Sequence, residues 1–94
     1  MHIKYAWDEA KRRQNREKHG LDFTEAEHFD WSTAVTREDT RTDYGERRFI
    51  STGLIGARVH VLTFTPRAGR IRVIGLRKAN SRERKRYVEA QELH

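Results

Sequence analysis

Apolar and polar residues alternate along three segments in the second half of the chain, which is the pattern of half-buried β-strands. The segments cover residues 48–54, 58–65 and 70–76, and each begins with arginine. The intervals between them, Ile55-Gly56 and residues 66–69, contain residues typical of hairpin turns. The pattern therefore predicts an antiparallel meander of three strands.

The N-terminal segment predicts a short strand followed by a helix. Residues 3–7 alternate apolar with small or basic side chains, and Asp8 is a natural N-cap for a helix that reaches about Lys18 and that Gly20 closes. Ala10 is the only apolar residue between the caps, so burial of a hydrophobic stripe can hardly hold this helix. One face instead carries polar side chains at helical spacing, namely Lys11, Asn15 and Lys18. A solvated helix and a functional face both fit this composition.

A second short helix is predicted to begin near Phe23. Two overlapping capping-box patterns support it, Asp22 with Glu25 and Thr24 with Glu27. The predicted buried face consists of Phe23, Ala26 and Phe29. The polar segment that follows allows an edge strand at residues 33–37 and then a loop that ends near Glu46.

The last predicted element is a basic helix capped by Asn80 or Ser81, with Glu83 completing a capping box with Asn80. Its inner face is predicted to consist of Tyr87, Ala90 or Gln91, and Leu93 or His94. The element order is thus β-α-α-β-β-β-β-α. We expect a small α+β domain spanning residues 1–94, with an antiparallel sheet packed by two N-terminal helices and a basic C-terminal helix.

We assume that the residues flanking each turn pair directly, which fixes the register of the meander. Leu54 is then opposite Ala57, and Thr65 is opposite Arg70. One face would then carry a polar depression formed by Ser51, Gly53, Arg58, His60, Gly75 and Arg77. In this register the two arginines are cross-strand neighbours whose repulsion an anion would relieve. His60 is either a functional group of this depression or a histidine hydrogen-bonded within the sheet.

Charge narrows the choice of partner. Twenty Lys and Arg against fourteen Asp and Glu give a net charge of +6 and a pI near 10.2, which favours a partner rich in phosphates or carboxylates. The junction of the last strand and helix concentrates cations, since Arg77 and Lys78 precede a helix start that carries Arg82 and Arg84. A strand-end arginine beside a helix N-terminus predicts a phosphate site there.

Several classes of protein are disfavoured by composition. The chain has no cysteine, and its five histidines show no paired spacing typical of zinc ligands, so no metal or other cofactor is expected. No apolar segment is long enough for a signal peptide core or a membrane span. We therefore expect a cytoplasmic protein that does not bind membranes.

Metal-free cleavage of a phosphodiester requires a proton acceptor, cations for the developing charge and a proton donor. Candidates for proton transfer are His19, His60 and Glu46. Candidates for charge stabilisation are Lys18, Arg47, Arg58 and Arg77. The spacing of these residues does not assign their roles.

Three blocks in order resemble the BrnT toxin family of bacterial type II toxin–antitoxin modules. They are Trp7-Asp8-x-x-Lys11-x-x-x-Asn15-x-x-Lys18-His19-Gly20, then Glu46-Arg47-x-Phe49-x-x-x-Gly53, and Arg77-Lys78-Ala79-x-x-x-Glu83-Arg84-x-x-Tyr87. The resemblance implies a RelE-like fold, ribonuclease activity that halts translation, and a BrnA-type antitoxin that neutralises the toxin and joins it on operator DNA. One departure is the end of the middle strand, where a His-Thr-Glu-Arg-like pattern is replaced by Phe64-Thr65-Pro66-Arg67.

Residues and resemblance together predict a metal-independent endoribonuclease that acts on messenger RNA. Its predicted catalytic residues are Lys18, His19, Glu46, Arg47 and Arg77, and its predicted RNA-binding residues are Arg58, Lys78, Arg82 and Arg84. The two arginines of the first set would stabilise the phosphate, His19 or Glu46 would move protons, and Lys18 would support them. Two other functions stay open: RNA binding without cleavage, and a basic surface that mainly receives an acidic antitoxin segment.

Overall fold

The computed structural model describes residues 2–93, which form one five-stranded sheet with helices on both faces. The elements are β1 (Tyr5–Trp7), α1 (Glu9–His19), a 3-10 helix (Phe23–His28), β2 (Phe29–Asp39), β3 (Arg48–Ile55), β4 (Arg58–Arg67), β5 (Arg70–Lys78) and α2 (Ser81–Glu92). The strand order across the sheet is β1-β5-β4-β3-β2. The predicted α+β class is confirmed, and the elements follow the predicted order except that a 3-10 helix replaces the second predicted helix. Within the part of the chain that the structure describes, no helix is both long and apolar enough to cross a membrane.

The prediction of a wholly antiparallel sheet is wrong, because β1 pairs with β5 in parallel. Tyr5 lies opposite Ile71 and Trp7 opposite Val73. Parallel partners must be joined by a long crossover, and here almost the whole domain lies between the two strands. Local sequence patterns carry no information about a pairing over such a distance. The other four strands form the antiparallel meander, to which β2 adds an edge.

Local capping signals located the helices correctly. The Asp8 side chain accepts a hydrogen bond from the backbone N–H of Ala10, and Gly20 ends α1 in the left-handed region at φ 70°. Asn80 and Glu83 form the predicted capping box of α2. The inner face of α2 was predicted one turn too far, since Leu93 is 85% exposed. His94, the alternative, lies outside the described residues.

The second predicted helix is a single 3-10 segment rather than an α-helix. Its N-cap is Asp22, whose carboxylate accepts from the backbone N–H of Thr24. The predicted buried face is confirmed, because Phe23 and Ala26 are fully buried and Phe29 is 5% exposed. Phe29 already belongs to β2, which is longer than the predicted 33–37 segment and leaves no room for further helical turns.

Two apolar clusters fill the two faces of the sheet. The larger lies against α1 and the 3-10 helix and includes Phe23, Ala26, Phe29, Leu62, Phe64, Val73 and Leu76. The smaller lies under α2 and comprises Ile50, Val59, Val61, Ala79 and Tyr87. Because α2 covers only part of its face, the remainder of that face is an open sheet surface.

The predicted register of the first hairpin was displaced by two residues. The turn residues are Gly56 and Ala57 rather than Ile55 and Gly56, so Ile55 pairs with Arg58. Gly56 has φ +61°, a conformation that glycine adopts without strain. An even displacement keeps every side chain on its predicted face, so the face assignment of β3 and β4 is confirmed.

The second hairpin contains a β-bulge, and this overturns part of the predicted face. Near the turn Phe64 pairs with Val73, but beyond the bulge Val61 pairs with Arg77. The extra residue in β5 reverses the direction of every later side chain. Leu76 therefore enters the larger cluster, whereas Arg77 turns to the α2 face.

The polar depression predicted around His60 is consequently wrong. Arg58 and Arg77 are not cross-strand neighbours, and His60 pairs with Gly53 and Lys78. The histidine is only 5% exposed, and its Nδ1 lies 2.9 Å from the backbone oxygen of Arg58. Of the two alternatives for His60, the histidine hydrogen-bonded within the sheet describes the structure.

Polar contacts attach α1 to the sheet. Asn15 is 8% exposed. Its Nδ2 donates to the backbone oxygens of Leu76 (2.8 Å) and Leu21 (3.1 Å), and its Oδ1 accepts from the N–H of Leu76 (3.1 Å). The short β1 pairs with β5 only as far as Val73, so Asn15 takes the place of a neighbouring strand at Leu76.

Candidate functional site

A groove of about 560 Å³ lies between α2 and the open part of the sheet. Two rows of cross-strand neighbours form its floor, and strand alternation directs their side chains to the same face. The lining residues are Val35, Arg37, Arg41, Ile50, Thr52, Val61, Thr63, Arg77, Glu83, Arg86, Tyr87 and Ala90. We call it the arginine groove, because four of these residues are arginines.

Two of the four arginines already have carboxylate partners. Arg41 binds the buried Asp39 through two hydrogen bonds of 2.8 and 2.9 Å, which hold the pKa of Asp39 well below its usual range. Arg77 binds Glu83. The ion pairs formed among residues 2–93 include neither Arg37 nor Arg86. The groove therefore presents two guanidinium groups that form no salt bridge within residues 2–93, which favours an anionic ligand, and the charge of Arg86 also acts on Glu83.

Arg77 is held in a bidentate pair by Glu83. Its Nη1 and Nη2 each donate to one carboxylate oxygen at 2.8 Å, and the Asn80 N–H donates to the same carboxylate at 2.9 Å. Hydrogen bonds from Arg77 and the N–H of Asn80 lower the pKa of Glu83 to about 2. Glu83 thus occupies the helix start where an external anion was predicted. A guanidinium has five N–H donors, so Arg77 still has donors for a second acceptor.

His19, with Lys18 before it in the chain, lies close enough to Arg77 for their charges to interact, but neither residue lines the arginine groove. Asn15 anchors α1 at Leu76, one residue before Arg77, so the C-terminal end of α1 is brought to the end of β5. Partial desolvation and then the charges of Lys18 and Arg77 lower the pKa of His19 from 6.5. The imidazole is therefore neutral at pH 7 and able to accept a proton. Of the predicted catalytic residues, His19 is thus the one that senses the charges of Lys18 and Arg77.

Glu46 and Arg47 lie at the opposite end of the sheet. Arg47 pairs with Glu38 at 2.9 Å, and Glu46 pairs with Arg67 at 3.1 Å. If the pairing of β3 with β4 is extended, Arg47 lies opposite Pro66. Pro66 is five residues along β4 from Val61, which is the partner of Arg77. At the rise of a β-strand this corresponds to about 16 Å. The structure does not bring Glu46 and Arg47 together with the group at His19.

The predicted RNA-binding residues share the end of the sheet that carries His19. Arg58 begins β4 and Lys78 ends β5, and both strands meet there. Arg82 and Arg84 lie on the first turn and a half of α2. All four side chains are exposed, and they extend the positive charge of the arginine groove beyond its rim.

Sequence reasoning missed Arg37, Arg41 and Arg86. Arg37 belongs to the edge strand, two residues from Val35 on the same face, and Arg86 precedes the buried Tyr87. Each of these arginines is one of twenty basic residues in the chain, and none is marked by a local motif. Their convergence depends on strands and a helix that are distant in sequence.

The fold is that of a small basic α+β domain, and a groove on one face of its sheet is lined by four arginines. The sequence model of a family described as "Ribonuclease toxin, BrnT, of type II toxin-antitoxin system" matches residues 7–83. The chain therefore belongs to the BrnT family of ribonuclease toxins, which confirms the resemblance carried by the three motif blocks. Membership implies an RNA target and an antitoxin partner. Among curated proteins, none is similar enough in sequence to extend this assignment.

Proposed function

We propose that the protein is an endoribonuclease that cleaves messenger RNA at the arginine groove and thereby inhibits translation. The cut is made without a metal ion, by attack of the 2′-hydroxyl on the neighbouring phosphodiester. The chain acts in the cytoplasm as a single RelE-like toxin domain. A BrnA-like antitoxin neutralises it, and operator DNA is reached only through that complex.

The observation that carries the proposal is the proximity of His19 to Arg77 at the end of β5, where the charge of Arg77 acts on the imidazole. A neutral imidazole at the end of β5 can take the 2′-hydroxyl proton, because its pKa is held below 6.5 by desolvation and by Lys18 and Arg77. Arg37 and Arg86, which form no salt bridge within residues 2–93, attract the phosphate backbone into the groove. The scissile phosphate lies at the end of β5, between His19 on α1 and Arg77 on the α2 face of the sheet.

These groups account for each bond and each proton of the reaction. The 2′-oxygen bonds to phosphorus, His19 accepts the proton, and Arg77 with Lys18 stabilises the charge that develops on the phosphoryl oxygens. The bond to the 5′-oxygen breaks, and that oxygen takes a proton from the imidazolium. The products are a 2′,3′-cyclic phosphate and a 5′-hydroxyl end.

Glu46 and Arg47 receive a different role from the one predicted from sequence. At about 16 Å from the level of Arg77, Arg47 contacts a phosphate several nucleotides from the cut and does not stabilise the scissile group. Glu46 does not transfer protons, because Arg67 holds its carboxylate. Arg58, Lys78, Arg82 and Arg84 bind the backbone on the His19 side.

The test is incubation of antitoxin-free protein with a defined RNA in EDTA, followed by mapping of cut sites and end groups. We expect cleavage with 2′,3′-cyclic phosphate ends. Arg77→Ala and His19→Ala should each slow it by about 100-fold or more, while Arg13→Ala, on the outer face of α1, should not. Full cleavage by a folded Arg77→Ala variant would remove Arg77 from the site, and loss of cleavage in EDTA would exclude a metal-free reaction.

A second candidate is an RNA-binding protein that does not cleave. It is favoured by the bidentate pairing of Arg77 with Glu83 and by Phe64-Thr65-Pro66-Arg67 in place of the histidine-containing strand end. The same incubation separates the two functions, since a pure binder leaves the RNA intact while its affinity falls steeply with salt.

A further inference from the structure

A second groove, of about 870 Å³, lies at the end of β5 away from Arg77, between the N-terminal segment, β1 and the start of β2. Its walls include Tyr5, Trp7 and Trp31, with Lys4 and Arg70 at its edge. Both tryptophans of the chain line it. We call it the tryptophan groove, and neither its position nor its chemistry is used by the mechanism above.

The two indole rings are held in fixed orientations. Trp31 packs edge-on against Phe29 at 4.8 Å and Phe64 at 5.3 Å between ring centroids, and its Nε1 donates to the Tyr5 hydroxyl at 2.9 Å. Trp7 packs edge-on against Phe23 and its Nε1 donates to Glu9. Both rings remain partly exposed. Rigid, partly exposed aromatic faces are suited to stack a planar ligand at little entropic cost.

The edge of the tryptophan groove is positively charged. Arg70 lies directly opposite Arg67 across the hairpin, and Arg67 takes Glu46 as its partner. The salt bridges of residues 2–93 include neither Arg70 nor Lys4. The backbone N–H of Ile71 donates to the oxygen of Lys4 at 2.8 Å, which keeps the two cations adjacent. Glu27 is the acidic side chain that lines the groove.

Aromatic faces beside unpaired cations recognise a planar base attached to a phosphate. We propose that the tryptophan groove is a second RNA subsite, which stacks an unpaired base on Trp7 or Trp31 and binds the adjacent phosphate through Lys4 and Arg70. Its volume is within the range of small-ligand sites and accommodates a nucleotide. The subsite rests on the proposed function only in its choice of RNA.

The experiment measures binding without cleavage. The probe is a 2′-O-methyl oligoadenylate of about six nucleotides, a length suited to a single-strand site, since the methylated oxygen cannot attack phosphorus. Binding is followed by tryptophan fluorescence, which reports on this groove because it contains both tryptophans. Trp7→Phe and Trp31→Phe identify the ring that the base contacts while keeping an aromatic side chain in the core.

We expect saturable quenching that an abasic oligomer of equal charge does not produce. Lys4→Ala/Arg70→Ala should weaken the binding by about tenfold, as expected for loss of two phosphate contacts. The matched control is Arg13→Ala/Lys85→Ala, which removes two exposed charges from the outer faces of α1 and α2 and should change affinity by less than about twofold.

Three results would overturn the subsite: equal quenching by the abasic oligomer, unchanged affinity in Lys4→Ala/Arg70→Ala, or quenching by an acidic peptide but not by the oligonucleotide. Cleavage of unmodified RNA, measured in parallel, separates this inference from the proposed function. Persistent cleavage without quenching rejects the subsite alone. Quenching with the expected variant pattern but no cleavage by the wild-type protein rejects the ribonuclease proposal and keeps the subsite.

Discussion

At the scale of single residues, Asn15 connects the sequence to the site more directly than any other side chain. It lies 61 positions before Leu76, yet one amide satisfies both backbone groups of that residue. An apolar stripe would fix a helix through many contacts, whereas α1 relies on this amide and on the pairing of Arg12 with Asp22. The proximity of His19 to Arg77 depends on that attachment.

Asn15→Ala should lower the free energy of unfolding by about 2–4 kcal/mol, because it removes three hydrogen bonds and leaves the backbone groups of Leu76 unpaired. Urea denaturation measures the change. Gln14→Ala, at the exposed neighbouring position, should stay within about 0.5 kcal/mol. Equal stability of the two variants would show that α1 is held by other contacts.

The titration of His19 is a second residue-scale prediction. Its folded pKa lies below 6.5, so its contribution to stability is present above pH 6.5 and is lost as the pH falls through the lowered pKa. Replacing Arg77 by alanine removes one of the two repelling cations and should raise the pKa of His19. NMR titration of the imidazole resonances measures both values. An unchanged pKa in that variant would mean that Arg77 is too distant to act with His19.

At the scale of elements, the start of α2 depends on Glu83, which both completes the capping box and binds Arg77. The pKa of Glu83 is lowered from 4.5 to about 2. Its ionised form therefore stabilises the fold above pH 4.5, and this contribution is lost as the pH falls toward 2. Solvent reaches Arg77, so the contribution is modest.

Glu83→Gln keeps a capping side chain but removes the charge. We expect the free energy of unfolding to be roughly 1 kcal/mol lower than that of the wild-type protein at neutral pH. This difference should disappear as the pH falls toward 2. Thermal unfolding across this pH range measures it. Glu89→Gln, at an exposed position of α2, is the matched control. A pH-independent difference would assign the loss to the cap rather than to the ion pair.

At the scale of the whole molecule, the net charge of +6 is distributed unevenly between paired and unpaired cations. Arg12, Arg41 and Arg47 are among those bound to carboxylates, whereas Arg37 and Arg86 line the arginine groove with no ion-pair partner in residues 2–93. RNA binding should therefore depend on where the replaced cations lie and not on the total charge of the protein.

Arg37→Ala/Arg86→Ala should reduce the slope of log affinity against log salt by about 1.4, since each phosphate contact with a single strand contributes about 0.7. The slope is measured with a non-cleavable RNA between low and physiological salt. Arg13→Ala/Lys85→Ala removes the same charge from outward faces and should alter the slope less. Equal changes in the two double variants would show that the groove is not the main RNA contact.

The candidate site was only partly predictable from sequence. The motif blocks identified the family and included His19 and Arg77, whose charges interact in the structure. The same blocks included Glu46 and Arg47, which the sheet places at its other end. The missed arginines, Arg37, Arg41 and Arg86, have no local signal. Shared motif membership indicates common function, but it does not determine which residues are neighbours.

The sequence by itself determined the features that depend on contacts between residues close together in the chain. The caps at Asp8, Gly20 and Asn80 and the antiparallel hairpins follow from side chains and turns that act within a few residues. Family membership could also be predicted from the sequence, because the motif blocks consist of residue identities and their spacing.

Only the tertiary structure decided where the chemistry lies. The β-bulge near Thr63 turned Arg77 to the α2 face. Asn15 fixed α1 against the part of β5 that β1 leaves unpaired. The parallel pairing of β1 with β5 completed the five-stranded sheet. Each outcome is set by the competition of distant segments for the same backbone groups and the same buried space. A local pattern does not encode the result of that competition, since one extra residue in a strand exchanges its two faces.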